Sequence, residues 1–345
     1  MVRARILIVY VGGTIGMKRG RLGLVPSALF AEELVRWMGR EHDFGAPCDV
    51  AVHSLEPLID SAEAVPANWR SVAHHVWANH GGCDGVVVLH GTDTLAYTAS
   101  ALSFLLIGLG KPVILTGAQV PFGFPGSDAQ ANIRGAVACA LDGRIREVAI
   151  FFDGVLLRGN RARKSSSHIG DGFTSPHWPE LARFNGRLDV APNALLPVEP
   201  CPRPCPLPVA ETEPVGLLKV YPGISEQMII AAADAHPRGL VLELYGSGTA
   251  PALNRSMQRA LETVTRRKTP MVGVSQCVHG EISPVCYASS RLLRDAGVVS
   301  GHDLTAEAAL TKLTYLNGLR TPFEQVAREI ARPLAGELTP EQTGA

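Results

Sequence analysis

Four apolar runs in the first half of the chain show none of the alternation expected of a strand with one wet face. They read RILIVYV from Arg5, DGVVVLH from Asp84, KPVILTG from Lys111 and REVAIFF from Arg146. Continuous β-branched runs of this length fit strands covered on both sides, which is the condition of a parallel sheet. Helical patterns separate them: NWRSVAHHVWANH, TLAYTASALSFLLIGL and AQANIRGAVACAL. Strand, loop and helix in alternation predict an α/β fold, a doubly wound and mainly parallel sheet.

Residues 197–214, PVEPCPRPCPLPVAETEP, carry seven prolines, too many for a helix or a central strand. They predict a linker between an N-terminal α/β domain (1–196) and a smaller C-terminal α/β domain (215–345). In the second domain the pattern resumes with GLLKVYPG, GLVLELYGSG and TPMVGVSQC.

Lysine plus arginine number 32 and aspartate plus glutamate 32, without a block of one sign. No source of counterion release is evident, so a small-molecule partner is expected and no nucleic acid. SALSFLLIGLG is too short and glycine-broken to span a bilayer, so no membrane partner is expected either. The opening MVRARILIVYV breaks at Gly12-Gly13 without a small-residue cleavage site and reads as a first strand, not a signal peptide. Seven scattered cysteines suggest reduced thiols and a cytoplasmic setting. Cys201 and Cys205 lack a second ligand pair at zinc spacing, so no metal is expected.

In an open parallel sheet, ligands bind at the loops leaving the carboxyl ends of the strands. The first such loop, GGTIGM, lacks the first spaced glycine of a dinucleotide fingerprint, and Glu32 and Glu33 fall in a helical pattern where a strand-end acid would be needed. No P-loop is present. The second, HGTDT, sets Thr92, Asp93 and Thr94 directly after a buried strand. Asp93 or either threonine could simply cap the next helix. The alternative reading is chemical, because Thr14 lies amid glycines in the first loop. A threonine hydroxyl becomes a nucleophile only when a base takes its proton. Lys164, after RGNRAR, is a candidate partner that Asp93 could hold, although that stretch taken alone favours a solvated surface lysine. His74, His75, His90 and His168 form no metal or Ser/His/Asp spacing.

These same residues resemble the signature blocks of the bacterial-type L-asparaginases. YVGGTIGM and VVLHGTDTLAYTASALSF carry the likeness, supported by PLIDSAE, KPVILTGAQ, LLRGNRARK, VYPGIS, AGVVSGHDLTAEAALTKLTYL and GELTP. The resemblance spans nearly the whole chain and is strongest to the cytoplasmic, type I branch. It implies that Thr14 attacks the side-chain amide of L-asparagine, while Thr92, Asp93 and Lys164 activate a hydroxyl and deliver a proton to departing ammonia. It further implies that Asp60, Ser61, Gly91, Thr92, Asp93 and Ala118 bind substrate: Ser61 takes the α-carboxylate, Asp93 the α-ammonium, and Ala118 acts through its backbone. No cofactor or metal is implied, and a homodimer or homotetramer is, with each site near a subunit interface.

The chain departs from the family pattern at three places. Leu24, in GRLGLVPS, stands where a tyrosine usually meets the nucleophile. Thr249 replaces an asparagine in GSGTAP, and Glu243 replaces a basic residue tied to an effector site in some type I enzymes. These leave open a preference for glutamine or another amide, and a non-catalytic amino-acid-binding role.

Overall fold

The computed structural model describes residues 3–21, 23–40, 44–168, 170, 172–197, 215–283 and 287–339. The chain divides into two compact units, Met1–Leu207 and Pro208–Ala345. Apart from Pro197, the proline-rich stretch lies outside the described residues.

The first unit opens with β1 (Ala4–Gly12), a hairpin of β2 (Met17–Gly20) and β3 (Gly23–Pro26), and helix α1 (Leu29–Met38). It continues through β4 (Cys48–Ile59), α2 (Pro66–Asn79), β5 (Gly85–Leu89), α3 (Leu95–Leu105), β6 (Val113–Thr116), α4 (Ala129–Ala140) and β7 (Val148–Phe152). Shorter strands follow: β8 (Val155–Arg158), β9 (Arg163–Lys164), β10 (Phe173–Thr174), β11 (Ala182–Phe184) and β12 (Leu188–Val190). An eight-stranded sheet runs in the order β12-β11-β8-β7-β6-β5-β1-β4. Its β4, β1, β5, β6 and β7 are parallel, and β8, β11 and β12 add an antiparallel margin.

Burial explains the missing alternation. Ile6, Ile8 and Tyr10 of β1 join Val87 and Leu89 of β5, Phe30 and Leu34 of α1, and Ile133 and Val137 of α4 in one apolar core. Leu7 and Val9, which point the other way, are buried as well. Each apolar residue so covered contributes roughly 1.5–3 kcal/mol over leaving it exposed. The one long strand without an apolar run is β4, CDVAVHSLEPLI, and it forms the sheet edge. An edge strand is only half covered and tolerates polar residues.

Topology singles out one place in this sheet. After β1 the chain first adds β4 on one side and then returns to place β5 on the other. The reversal leaves the carboxyl ends of β1 and β5 side by side, the crevice where ligands of open α/β sheets bind. The loops leaving these ends carry Thr14 and Thr92.

The second unit is a separate four-stranded parallel sheet. It contains β13 (Gly216–Lys219), α5 (Glu226–Ala235), β14 (Leu240–Leu244), α6 (Arg255–Arg266), β15 (Met271–Ser275), α7 (Ala288–Asp295), β16 (Val298–Ser300), α8 (Ala306–Gly318) and α9 (Phe323–Ala331). Glu243 lies on β14, and Thr249 pairs with Tyr245 in the turn after it. The segment after α9 is stapled to this unit by fully buried charge: Lys312 Nζ of α8 meets Glu337 Oε1 at 2.6 Å. The ammonium also donates to the Ile330 and Arg332 carbonyls, and the carboxylate accepts from Leu334 and Ala335 N–H. Two residues on, Asp303 accepts from the Thr339 hydroxyl at 2.5 Å. No helix among the described residues is long and apolar enough to cross a membrane.

Candidate active site

Glycine lets the loops meet. Gly13 has φ +84°, and a Cβ placed there would lie 2.1 Å from Gly91 N. A Cβ on Gly91 would lie 2.4 Å from Ser61 Oγ. The exits of β1 and β5 therefore meet backbone to backbone, and the Ser61 side chain at the exit of β4 packs against Gly91, at spacings only glycine permits. Hydrogen bonds fix the junction: Gly13 N donates to Ile59 O at 3.1 Å, and Thr94 Oγ1 donates to Ser61 O at 2.7 Å. Thr14 follows Gly13 in a single 3₁₀ turn and is half-buried.

Beside this junction, Lys164 Nζ donates to Thr92 Oγ1 at 3.0 Å and to Asp93 Oδ1 at 2.6 Å. Thr92 is buried, whereas Asp93 keeps 64% of its side-chain surface exposed. The lysine sits on β9, which pairs with β10 through Phe173, so a strand rather than a free loop aims the ammonium. Helix α3 starts at Leu95, and its N-cap residue Thr94 makes no side-chain cap hydrogen bond. The capping reading of Asp93 is thereby answered: its carboxylate is turned to Lys164.

Asp60 accepts from Ala62 N at 3.2 Å and opens the short turn that carries buried Ser61. Ala118 is buried at the exit of β6. Its loop is tied down by Asp128, which accepts from the Gln119 and Val120 N–H groups, and by Asn132 Nδ2, which donates to Gly117 O. Asp128 and Asn132 escaped the sequence reading; the signal was an acid placed just before a helix that follows a glycine-rich loop. Leu24 lies on β3, 43% exposed, and offers no polar atom. Tyr10, at the end of β1, has a buried hydroxyl pushed up to about 12 by desolvation, which makes it a poor substitute as a base.

The assembly thus offers a hydroxyl on a glycine turn, a second hydroxyl bonded to an ammonium, and a carboxylate bonded to the same ammonium. Such a set can move a proton between a nucleophile and a leaving amine.

Residues 5–195 match the family described as Asparaginase, N-terminal, and residues 214–329 match the Glutaminase/Asparaginase C-terminal domain. L-asparaginase 1 of Escherichia coli (strain K12) is 37% identical over 344 residues, covering 99% of this chain and 100% of that protein. The human 60 kDa lysophospholipase is 36% identical over 359 residues, covering 97% of this chain and 62% of that protein. Among solved structures, L-asparaginase I from Vibrio cholerae O1 biovar eltor superposes with a TM-score of 0.86 at 36% identity, covering 98% of this chain and 100% of that one. Two matched domains and full-length likeness agree with the glycine junction and the Lys164 cluster: the chain belongs to the asparaginase family.

Proposed function

We propose that the protein is an L-asparaginase that hydrolyses L-asparagine to L-aspartate and ammonia, with Thr14 as nucleophile. The observation that carries this reading is the double hydrogen bond of Lys164 to Thr92 and Asp93, set beside the glycine contact that brings in the Thr14 turn. Thr14 Oγ adds to the amide carbon and yields its proton. The C–N bond then breaks as the Thr92–Lys164–Asp93 group delivers a proton to nitrogen, and ammonia leaves. Water attacks the acyl-threonine, aspartate departs, and Thr14 regains its proton. Ser61 and Asp60 seat the amino-acid end, Asp93 receives the α-ammonium, and the Gly91 and Ala118 backbones line the amide. Fixing both charged ends of a zwitterion places the amide near the hydroxyl without further cost in orientation.

The same reading includes a homodimer or homotetramer and a cytoplasmic setting, the latter supported by the free thiols of Cys48, Cys83, Cys139 and Cys277. It also includes the division into domains 1–196 and 215–345 about a linker at 197–214.

Ammonia release from L-asparagine, L-glutamine and a panel of D-amides tests the substrate. Thr14→Ala and Thr92→Val are expected to lower turnover at least ~100-fold, the scale of lost acid–base or nucleophilic assistance. Unchanged rates in both variants overturn the assigned roles. Asparagine binding without ammonia release overturns the enzyme reading in favour of a binding protein.

A further inference from the structure

We propose that His90 is a positioning residue that sets the peptide plane between Gly91 and Thr92 and through it the whole loop junction. The proposal rests on the active-site reading above. His90 ends the β5 run, is 3% exposed, and its backbone N–H donates to Thr116 O at 2.9 Å. Its ring folds back so that Nδ1 lies 2.8 Å from Gly91 O, while Nε2 lies 3.0 Å from Thr98 Oγ1 of α3.

The partners dictate the tautomer. A carbonyl only accepts, so Nδ1 carries the hydrogen; in the neutral ring Nε2 is then the acceptor, and the fully buried Thr98 hydroxyl donates to it. Burial also disfavours the imidazolium, lowering the His90 pKa, with the Gly91 carbonyl opposing. The ring is therefore a neutral strut from helix α3 to the Gly91 carbonyl.

That carbonyl is a sensitive place to hold. In a trans peptide the C=O and the next N–H point in opposite directions, so drawing Gly91 O toward the ring turns Thr92 N–H away from it. Gly91 itself has no slack. A side chain on it would strike Ser61, and a side chain on Gly13 would strike Gly91. The loop after β6 presses on the residues either side of Gly91: a Cβ on Gly117 would lie 2.5 Å from His90 O and 3.3 Å from Thr92 Cγ2. Rotation of this one peptide would shift the Thr14 turn, the Ser61 seat and the Thr92 hydroxyl together. His90 and Thr98 are the side chains that prevent it, and neither touches Lys164, Asp93 or Asp60 in the hydrogen-bond pattern described.

The test compares His90→Ala, His90→Asn and Thr98→Val for kcat, KM and pH–rate profile, with melting temperature as the control for folding. Asparagine Nδ2 occupies about the place of histidine Nδ1 and keeps the bond to Gly91 O. His90→Ala is expected to lower kcat roughly 10–100-fold, since misplacement on the order of 1 Å costs about that much. His90→Asn is expected to remain within about threefold of the parent, and Thr98→Val to lose roughly three- to tenfold, both with the limbs of the pH profile unmoved. Should His90→Ala not fold, the other two variants carry the test. Parental turnover in His90→Ala or Thr98→Val, or equal damage from Asn and Ala at position 90, overturns the proposal. A displaced limb in the pH profile overturns it in favour of a proton-transfer role. Nitrogen NMR of the His90 ring gives a reading that needs no turnover: Nδ1–H is expected, and Nε2–H overturns the strut. Absence of ammonia release by the parent protein would instead strike the proposed function and leave the ring measurement standing.

Discussion

Replacing Lys164 by methionine tests the proposed chemistry, because the structure separates what the lysine does for activity from what it does for stability. Methionine keeps an unbranched side chain, one atom shorter and with a thioether sulfur in place of a methylene, and removes the ammonium. Two hydrogen bonds are lost, to Thr92 Oγ1 and Asp93 Oδ1. The ion pair itself is largely solvated, with 64% of the Asp93 side chain and 21% of the Lys164 side chain exposed. Pairs of that kind contribute only about 0–1 kcal/mol to folding. The catalytic loss is larger: removing acid–base assistance is expected to lower kcat by ~10²–10⁴, or about 2.7–5.5 kcal/mol in the barrier. Ammonia release under saturating L-asparagine gives the first quantity, and denaturant unfolding of the same preparation gives the second. The two should part, with turnover nearly gone and stability nearly intact. Turnover within tenfold of the parent, or a stability loss matching the lost barrier stabilisation, would refute the argument that Lys164 acts on the reacting groups.

Restoring a phenol with Leu24→Tyr is expected to raise kcat several-fold toward the ~10²-fold scale of positioned proton transfer, at little cost to folding because Leu24 is 43% exposed. Steady-state kinetics check it, and a rate no higher than the parent's means that the hairpin does not present residue 24 to Thr14. Gly91→Ala drives a methyl to 2.4 Å from Ser61 Oγ and 2.6 Å from Ser61 Cβ. Rotation of the hydroxyl cannot relieve the second contact, so KM for asparagine should rise ~10-fold or more, as measured by initial rates, through displacement of Ser61, the proposed carboxylate seat. The buried His90 predicts a pH dependence of folding. Its folded-state pKa lies below the unfolded value of about 6.5, so acidification loads protons onto the unfolded chain first. The stability that it supports is therefore present above pH ~6.5 and is lost as pH falls, by at most about 1.4 kcal/mol per pH unit. Urea midpoints between pH 7 and 5 should fall more steeply for the parent than for His90→Asn.

Much of this was legible from residue order because the sheet interior leaves a strong mark. The runs at β1, β5, β6 and β7 lack alternation since both faces are covered, and that fact alone indicated a parallel sheet. β4 left no such mark, for an edge strand mixes Asp49, His53 and Glu56 with its apolar residues. The β2–β3 hairpin and the antiparallel margin were equally hidden, being too short for a period to show. At the site, HGTDT and the glycine turn were visible as strand exits. Pairing Lys164 with Thr92 requires a contact across 72 positions, which no local pattern encodes. The part played by His90 was likewise out of reach, since a histidine closing a strand looks the same whether its ring is idle or braced against a carbonyl.

The buried Lys312–Glu337 staple bears on how this protein can be handled. Glu337 and Leu338 are buried, and the half-buried residues 334–336 before them are tied down by the same carboxylate, so this stretch is anchored in the second unit although it comes last in its described chain. A truncation that removes Glu337 would leave the buried Lys312 ammonium with carbonyl partners but no counter-charge from Glu337, a defect worth about 3–5 kcal/mol. A cut or a reporter graft placed at or before Glu337 would therefore disturb the interior of the second unit.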